Sequence, residues 1–138
     1  VIDAENEIFT LVAQNLREHF PGIYVTGEYV RESAKFPCVS IEEKNNAVWR
    51  NSRDTVTNEN HAAVMYEINV YSNKLNGKKQ ECKVIMAQAG DVMNALGFSR
   101  IMLSPVPNLA DATIYRLTAR FQAILGRDAN GRFIVYKR

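Results

Sequence analysis

Few residues in this 138-residue chain occur in numbers that would announce a chemistry. It holds two cysteines, Cys38 and Cys82, and two histidines, His19 and His61, all far apart in sequence. Local zinc-ligand spacing is missing, and so is a local Cys–His nucleophile pattern. Both thiols are therefore expected to be reduced, buried small side chains, as in an intracellular protein that needs no disulfide. The glycines at 22, 27, 77, 90, 97, 126 and 131 stand singly, so no phosphate-cradling loop is written here. No stretch approaches the roughly 18 to 20 apolar residues of a membrane-spanning helix, and no basic-then-apolar signal opens the chain. Lys and Arg number 17 against 15 for Asp and Glu, too small an excess to argue for nucleic acid by itself. Glu42 and Glu43 are adjacent on a predicted strand and point to opposite faces, so they cannot work together as acid and base. No catalytic residue, metal site or cofactor is expected.

The chain does carry clear structural periodicity. A hydrophobic fraction of 46% and a charged fraction of 23% are those of a soluble globular protein, and the length suits one domain over residues 1–138. The organising stretch is Ala62 to Ser72, AAVMYEINVYS, where Val64, Tyr66, Ile68 and Val70 alternate with Met65, Glu67, Asn69 and Tyr71. That period of two predicts a half-buried strand. A helix is predicted from about Lys78 to Leu96, where Cys82, Ile85, Met86, Ala89, Val92, Met93 and Leu96 form an apolar stripe that Gly97 caps. An earlier helix is predicted with Asp3 as N-cap and Ile8, Leu11, Val12, Leu16 and Phe20 as its stripe, stopped by Pro21 and Gly22.

Further strands are expected at Ile23 to Val30, Cys38 to Glu43, Phe98 to Leu103 and Thr113 to Leu125. A long polar loop is expected at about 44–60, after the Cys38 to Glu43 strand continues into it. Asn130-Gly131 signals a C-terminal hairpin over about 120–138. The order of elements predicts an α+β fold, an antiparallel sheet with two amphipathic helices packed on one face, plus that hairpin.

Three groups of residues are candidates for contact with a partner. Lys74, Lys78, Lys79 and Lys83 gather at the start of the second helix, where they oppose the helix dipole and so do not serve helix stability. They read either as a solvated face or as a surface for an acidic partner. Trp49, Arg50 and Arg53 lie in the long polar loop, and Trp and Arg are the types enriched at the energetic centres of interfaces. The alternative is a Trp folded back onto the sheet. Arg116 and Arg120 share the more polar face of the last long strand, placed to meet carboxylates of a neighbouring subunit or simply solvent.

Taken together, the strand CVSIEE, the excursion VWRNSRD, the strand VMYEINVYSN, the helix ECKVIMAQAGDVMNALGF and the strand DATIYRLTARFQAIL resemble the tail terminator, or tail completion, proteins of long-tailed bacteriophages. The resemblance covers about residues 5 to 125 and rests on the order and flavour of the segments. It implies a small α+β virion protein, assembled in the bacterial host cytoplasm, that forms a homohexameric ring at the head-proximal end of the tail tube. There it would end tube polymerisation and dock the head-tail connector protein, with DNA passing through the channel without specific binding. No catalysis, cofactor or membrane is implied. The alternatives are another phage neck component, a head closure or adaptor protein, or a small nucleic-acid-binding module. Adaptors are usually more helical than this chain. If the loop belongs to a subunit interface, Trp49→Ala combined with Arg53→Ala lowers ring formation and tail binding, and unchanged assembly in native mass spectrometry rejects that role.

Overall fold

The computed structural model describes residues 3–28, 35–48, 61–107, 111–127 and 133–135. Its elements are α1 (Glu5–His19), β1 (Tyr24–Thr26), β2 (Cys38–Val48), β3 (His61–Ser72), α2 (Lys78–Ala95), β4 (Ser99–Pro105), β5 (Tyr115–Arg127) and β6 (Phe133–Val135). The strands form one sheet in the order β1-β2-β3-β5-β4, with β6 paired antiparallel to the far end of β5. The α+β class and the two helices on one face are as the periodicity predicts; β6 pairs back on β5 as the hairpin expectation has it, while the Asn130-Gly131 turn lies outside the described residues.

Three expectations need correction. The sheet is mixed rather than purely antiparallel, because β1 runs parallel to β2, Tyr24 opposite Cys38 and Thr26 opposite Ser40. A parallel neighbour follows from the long connection between the two strands, whereas a tight turn would have forced antiparallel pairing. Among the described residues β1 is also shorter than the predicted 23–30 strand. As expected, strand β2 continues past residue 43, through a register shift between Glu43 and Asn45 to Val48, and residues 49–60 of the predicted loop lie outside those described. Finally, Asp3 is not the N-cap: α1 starts one residue later with Ala4 in that position, and the Asp3 carboxylate accepts from the Glu5 N–H at 3.1 Å.

Strand β3 is the centre of the molecule. All twelve of its residues pair with β5, and nearly all pair with β2 on the other side. Val64, Tyr66, Ile68 and Val70 are buried on the helix side, against β5 residues Leu117, Ala119 and Phe121 and under Ile85, Met86, Ala89 and Met93 of α2. Each such fully buried apolar side chain contributes about 1.5–3 kcal/mol of transfer free energy. Tyr66 and Phe98 meet edge to face, centroids 5.6 Å apart. Helix α1 covers β2 and touches α2 through Ile8, Val12 and Leu16 and their neighbours, with Gln88 donating to Asn15 Oδ1 at 2.6 Å.

Both helices end for local reasons. After α2, Gly97 takes φ +99°, its N–H donates to the Asn94 carbonyl and the Phe98 N–H donates to the Met93 carbonyl. This is the paired 6→1 and 5→2 closure that a left-handed residue permits, completed by buried Met93 and Phe98. Packing makes Gly97 doubly necessary, because a Cβ there would lie 2.8 Å from Val135 Cγ1 of β6. Gly22, after α1, also has positive φ, +87°, but faces open space.

These two glycines separate backbone strain from steric clash. Gly22→Ala is expected to cost about 1 kcal/mol, the left-handed penalty alone. Gly97→Ala is expected to cost about 2–3 kcal/mol, since the β6 contact must also give way. Urea unfolding midpoints at unchanged slope measure both, and equal losses would show that β6 does not press on Gly97.

Candidate functional site

Two helices cover only part of this sheet. Helices pack 8–10 Å apart and strands about 4.8 Å apart, so a pair of helices spans roughly four strands. The fifth strand in the row, β4, is left with an uncovered flank. Between α2 and β4 lies a groove of about 540 Å³, floored by Phe98, Leu103, Leu117 and Phe121 and edged by Lys83 and Arg100. Leu103 remains 43% exposed, and Ile101, at the register shift between Arg100 and Met102, 45%. A second hollow of about 490 Å³ lies where β4 leads into β5, against Pro105, Val106, Pro107, Ile114 and Arg116.

Among the described residues the opposite sheet face carries no helix, yet it is not simply solvated. Ser40, Glu67, Asn69, Tyr71 and Thr118 are all buried there. Register explains how: Asn69 sits opposite Ser40 on one side and Thr118 on the other, and Glu67 sits opposite Glu42 and Arg120. Cross-strand neighbours on one face are close enough for their polar groups to satisfy each other. Thr118 donates its hydroxyl to Asn69 Oδ1 at 2.6 Å and Arg116 donates Nε to the same oxygen at 3.0 Å. Asn69 Nδ2 passes the chain on to Glu67 Oε2 at 3.0 Å, and Arg120 Nε donates to Glu67 Oε1 at 3.0 Å. Lys44 Nζ stands 3.5 Å from Glu42 and 3.9 Å from Glu67.

Burial works against ionising Glu67, but the bonds from Asn69 and Arg120 and the charge of Lys44 outweigh it and hold its carboxyl below the usual range. Ser40 Oγ and Glu42 Oε1 are buried without a hydrogen-bond partner among the described residues.

The predicted contact residues fall unevenly on this frame. Arg116 and Arg120 do share one face, four residues apart, with Arg120 about 42% exposed and Arg116 lying over the Tyr71 ring at 5.6 Å. Their Nε groups are engaged within the chain, by Asn69 and Glu67, which leaves the outer edges of the guanidiniums as the part open to a partner. Trp49, Arg50 and Arg53 lie outside the described residues. Lys78 donates Nζ to the Thr113 carbonyl at 3.3 Å, tying the start of α2 to the turn before β5, while Lys74, Lys79 and Lys83 are exposed.

Asn69, Thr118, Glu67 and Lys44 were not singled out in the sequence as a group. The signal present was a strand alternating apolar residues with Glu67 and Asn69 opposite a strand alternating them with Thr118 and Arg120.

On the helix side, Glu43 accepts from the Tyr66 hydroxyl at 3.2 Å and from Asn46 Nδ2 at 3.2 Å, while the Glu43 N–H donates to Glu5 Oε2 at 2.8 Å. Burial pushes the Glu43 carboxyl up, the Tyr66 bond offsets part of this, and the Glu5 carboxylate adds to the rise. Tyr66 is pushed far above the ordinary phenol range, first by burial and then by Glu43. Glu42 and Glu43 thus lie on opposite faces, as their adjacency requires. Burial beneath α2 pushes the Cys82 thiol up to about 12, helped by Glu81. Its Sγ contacts the carbonyls of Val70 and Tyr115 at 3.6 Å. Cys38 and Cys82 are both buried and do not form a disulfide. Among the described residues no three His, Cys, Asp or Glu side chains gather as a metal site, and no helix is long and apolar enough to cross a membrane.

The two shifted glutamates predict opposite pH behaviour. For Glu67, lowered in the fold, the stabilising contribution is full above the ordinary 4.5 and is lost as pH falls through the folded value. For Glu43, raised in the fold, the contribution is full below 4.5 and is lost as pH rises through the folded value. At neutral pH Glu67→Gln is therefore less stable than wild type and Glu43→Gln more stable; the Glu43 difference closes as pH falls to the ordinary 4.5, whereas the Glu67 difference closes only below it. Arg120→Ala, which strips a half-exposed partner from a buried carboxylate, costs about 1–2 kcal/mol. Thermal melts across pH check all three, and parallel curves for the two glutamine variants would refute the assignment.

Compared with known proteins, the chain matches no family model and no curated sequence.

Proposed function

We propose that this chain is a structural virion protein, a tail terminator that assembles as a ring on the head-proximal end of a phage tail tube. On this reading it ends tube growth, docks the head connector, and carries no catalysis. One observation supports the reading above others: among the described residues, a single sheet clad by helices on one face ends in two unlike edge strands. Strand β4 ends the row on one side and the short, parallel β1 ends it on the other. A subunit whose two sides differ associates head to tail, and such contacts close into a ring when the rotation per subunit is right. The helix-free face suits the same role. Its cross-strand bonds hold Arg116 and Arg120 in fixed positions, a pre-set polar surface of the kind that docks without reorganising.

The resemblance of the segments from CVSIEE to DATIYRLTARFQAIL to tail terminators supplies the identity of the ring and of its neighbours. The tail tube protein and the connector are the expected partners, with DNA passing through the lumen.

Native mass spectrometry with negative-stain imaging of the same sample tests the reading. The expected species is a closed ring of about six subunits that binds the end of assembled tail tubes. A chain that stays monomeric at high concentration, both alone and with tubes, overturns it.

A further inference from the structure

Strand β4 is an edge with half of its backbone groups turned outward. Val106 donates its N–H to the Arg116 carbonyl at 3.0 Å, and the register runs back through Ser104 opposite Thr118 to Met102 opposite Arg120. In an antiparallel pair alternate residues bond the neighbour, so 102, 104 and 106 face β5 while 103 and 105 face away from it. Among the described residues the N–H and carbonyl of Leu103 and the carbonyl of Pro105 therefore meet no strand. This free edge is short. The register shift between Arg100 and Met102 bounds it at one end, and Pro105, which has no N–H, bounds it at the other.

The groove beside that edge is not required by the chain's own packing. Leu103 lies opposite Ala119 on the helix side, and its half-exposed side chain floors the groove with Leu117 and Phe121. The facing wall of α2 is low there, made by Ala87 and Gly90. Glycine is the least favourable residue after proline in a helix interior, and a Cβ at Gly90 would meet Phe121 Cζ at 3.8 Å, an ordinary contact. A larger residue would suit the helix better and would narrow the groove. Helix α2 starts beside Thr113 and ends just ahead of β4, so it runs against that strand, with Lys83 toward the Pro105 end and Asp91 toward the Arg100 end. Asp91 and Arg100 offset each other, and Lys83 leaves the other end positive.

We infer that β4 takes up an extended segment of another protein as an added antiparallel strand, with apolar side chains of the segment seated in the groove between Leu103 and Gly90. One residue of the segment exchanges both backbone bonds with Leu103, and every second side chain of the segment turns into the groove. Backbone bonds give an added strand its affinity, and the groove selects its side chains, leucine-like along the floor and a carboxylate at the Lys83 end. A second copy does not supply this segment from its described residues. The other edge of the sheet, β1, is three residues long, and its helix-side residue, Val25, is already buried in its own core. The site stands whether or not the chain forms a ring.

The probe is the peptide Thr-Glu-Thr-Leu-Thr-Leu-Thr, amidated and carrying fluorescein at its N-terminus, titrated with the full chain by fluorescence anisotropy and followed by hydrogen exchange. Binding should saturate and slow amide exchange across residues 102–106. Leu103→Pro removes an N–H that β5 does not use, and should weaken binding about tenfold. Gly90→Leu, which fills the groove, should weaken it at least as much. Lys83→Glu should weaken binding too, and a peptide with lysine in place of its glutamate should recover the loss. The same peptide N-methylated at its central leucine should not bind. Unchanged melting curves confirm the fold of each variant. No saturable binding to wild type overturns the site, as does equal binding of the N-methylated peptide or wild-type affinity in both Leu103→Pro and Gly90→Leu. If Leu103→Pro instead dissociates an assembly of the wild type, the edge joins copies of this chain and the inference is overturned.

Discussion

Strand β3 is hydrogen-bonded along its length to β2 on one side and β5 on the other, and its register decides which side chains meet the helices. A slip of one residue would carry Val64, Tyr66, Ile68 and Val70 out from under α2 and drive Glu67 and Asn69 into the core. The loss would be double, in apolar burial and in stranded polar groups, so the register is strongly specified. Every other part of the structure takes its position from this strand. Helix α2 lies where the apolar face is, α1 fills the space beside it, and the polar face of β3 becomes the middle of the helix-free surface.

That surface is held by a different physics. Burying Glu67 with no helix above it is tolerable because its neighbours arrive by register: Arg120 from β5, Asn69 two residues along, and Lys44 from β2. Remove the partners and the carboxylate is a buried charge with a large desolvation cost; keep them and the face becomes rigid. A network satisfied from within the sheet has little left to gain from rearranging, which is what a docking surface of fixed shape requires. The same argument limits what Arg116 and Arg120 can offer a partner. Each has already committed its Nε, and only the remaining guanidinium N–H groups are available outward.

Much of this was legible in the sequence where the controlling interactions are local. The alternation in AAVMYEINVYS, the stripe from Cys82 to Leu96 and the glycine that closes it are short-range patterns, and each marks its element and its buried face. What was not legible depends on distant partners. That β1 joins parallel to β2 is a matter of how the chain returns, which no periodicity within Tyr24–Thr26 reveals. Asn69 looks like a solvent-facing strand residue until Thr118 and Arg116, 49 and 47 residues away, are placed across from it. The tie between Glu5 and Glu43 joins the start of α1 to the register shift in β2 across 38 residues. The polar face was readable as a face, then, but its pairing was not, because the partners of Asn69 and Glu67 come from another strand far along the chain.

The lysines that begin α2 show how a local cost can point outward. Cations at a helix N-terminus oppose the helix dipole, and α2 has no side-chain N-cap to compensate. Lys78 recovers part of this by donating to the Thr113 carbonyl, and Glu81 in the first turn contributes the favourable sign. Lys74 and Lys79 are exposed, and Leu75 between them in sequence is almost fully exposed. Helix α1 has the reverse arrangement, with Glu5 and Glu7 favourably placed in its first turn and Glu18 unfavourably near its last. Unfavourable charges of opposite sign therefore sit on two separate surfaces of one molecule, each next to an exposed leucine. Neither helix gains stability from them.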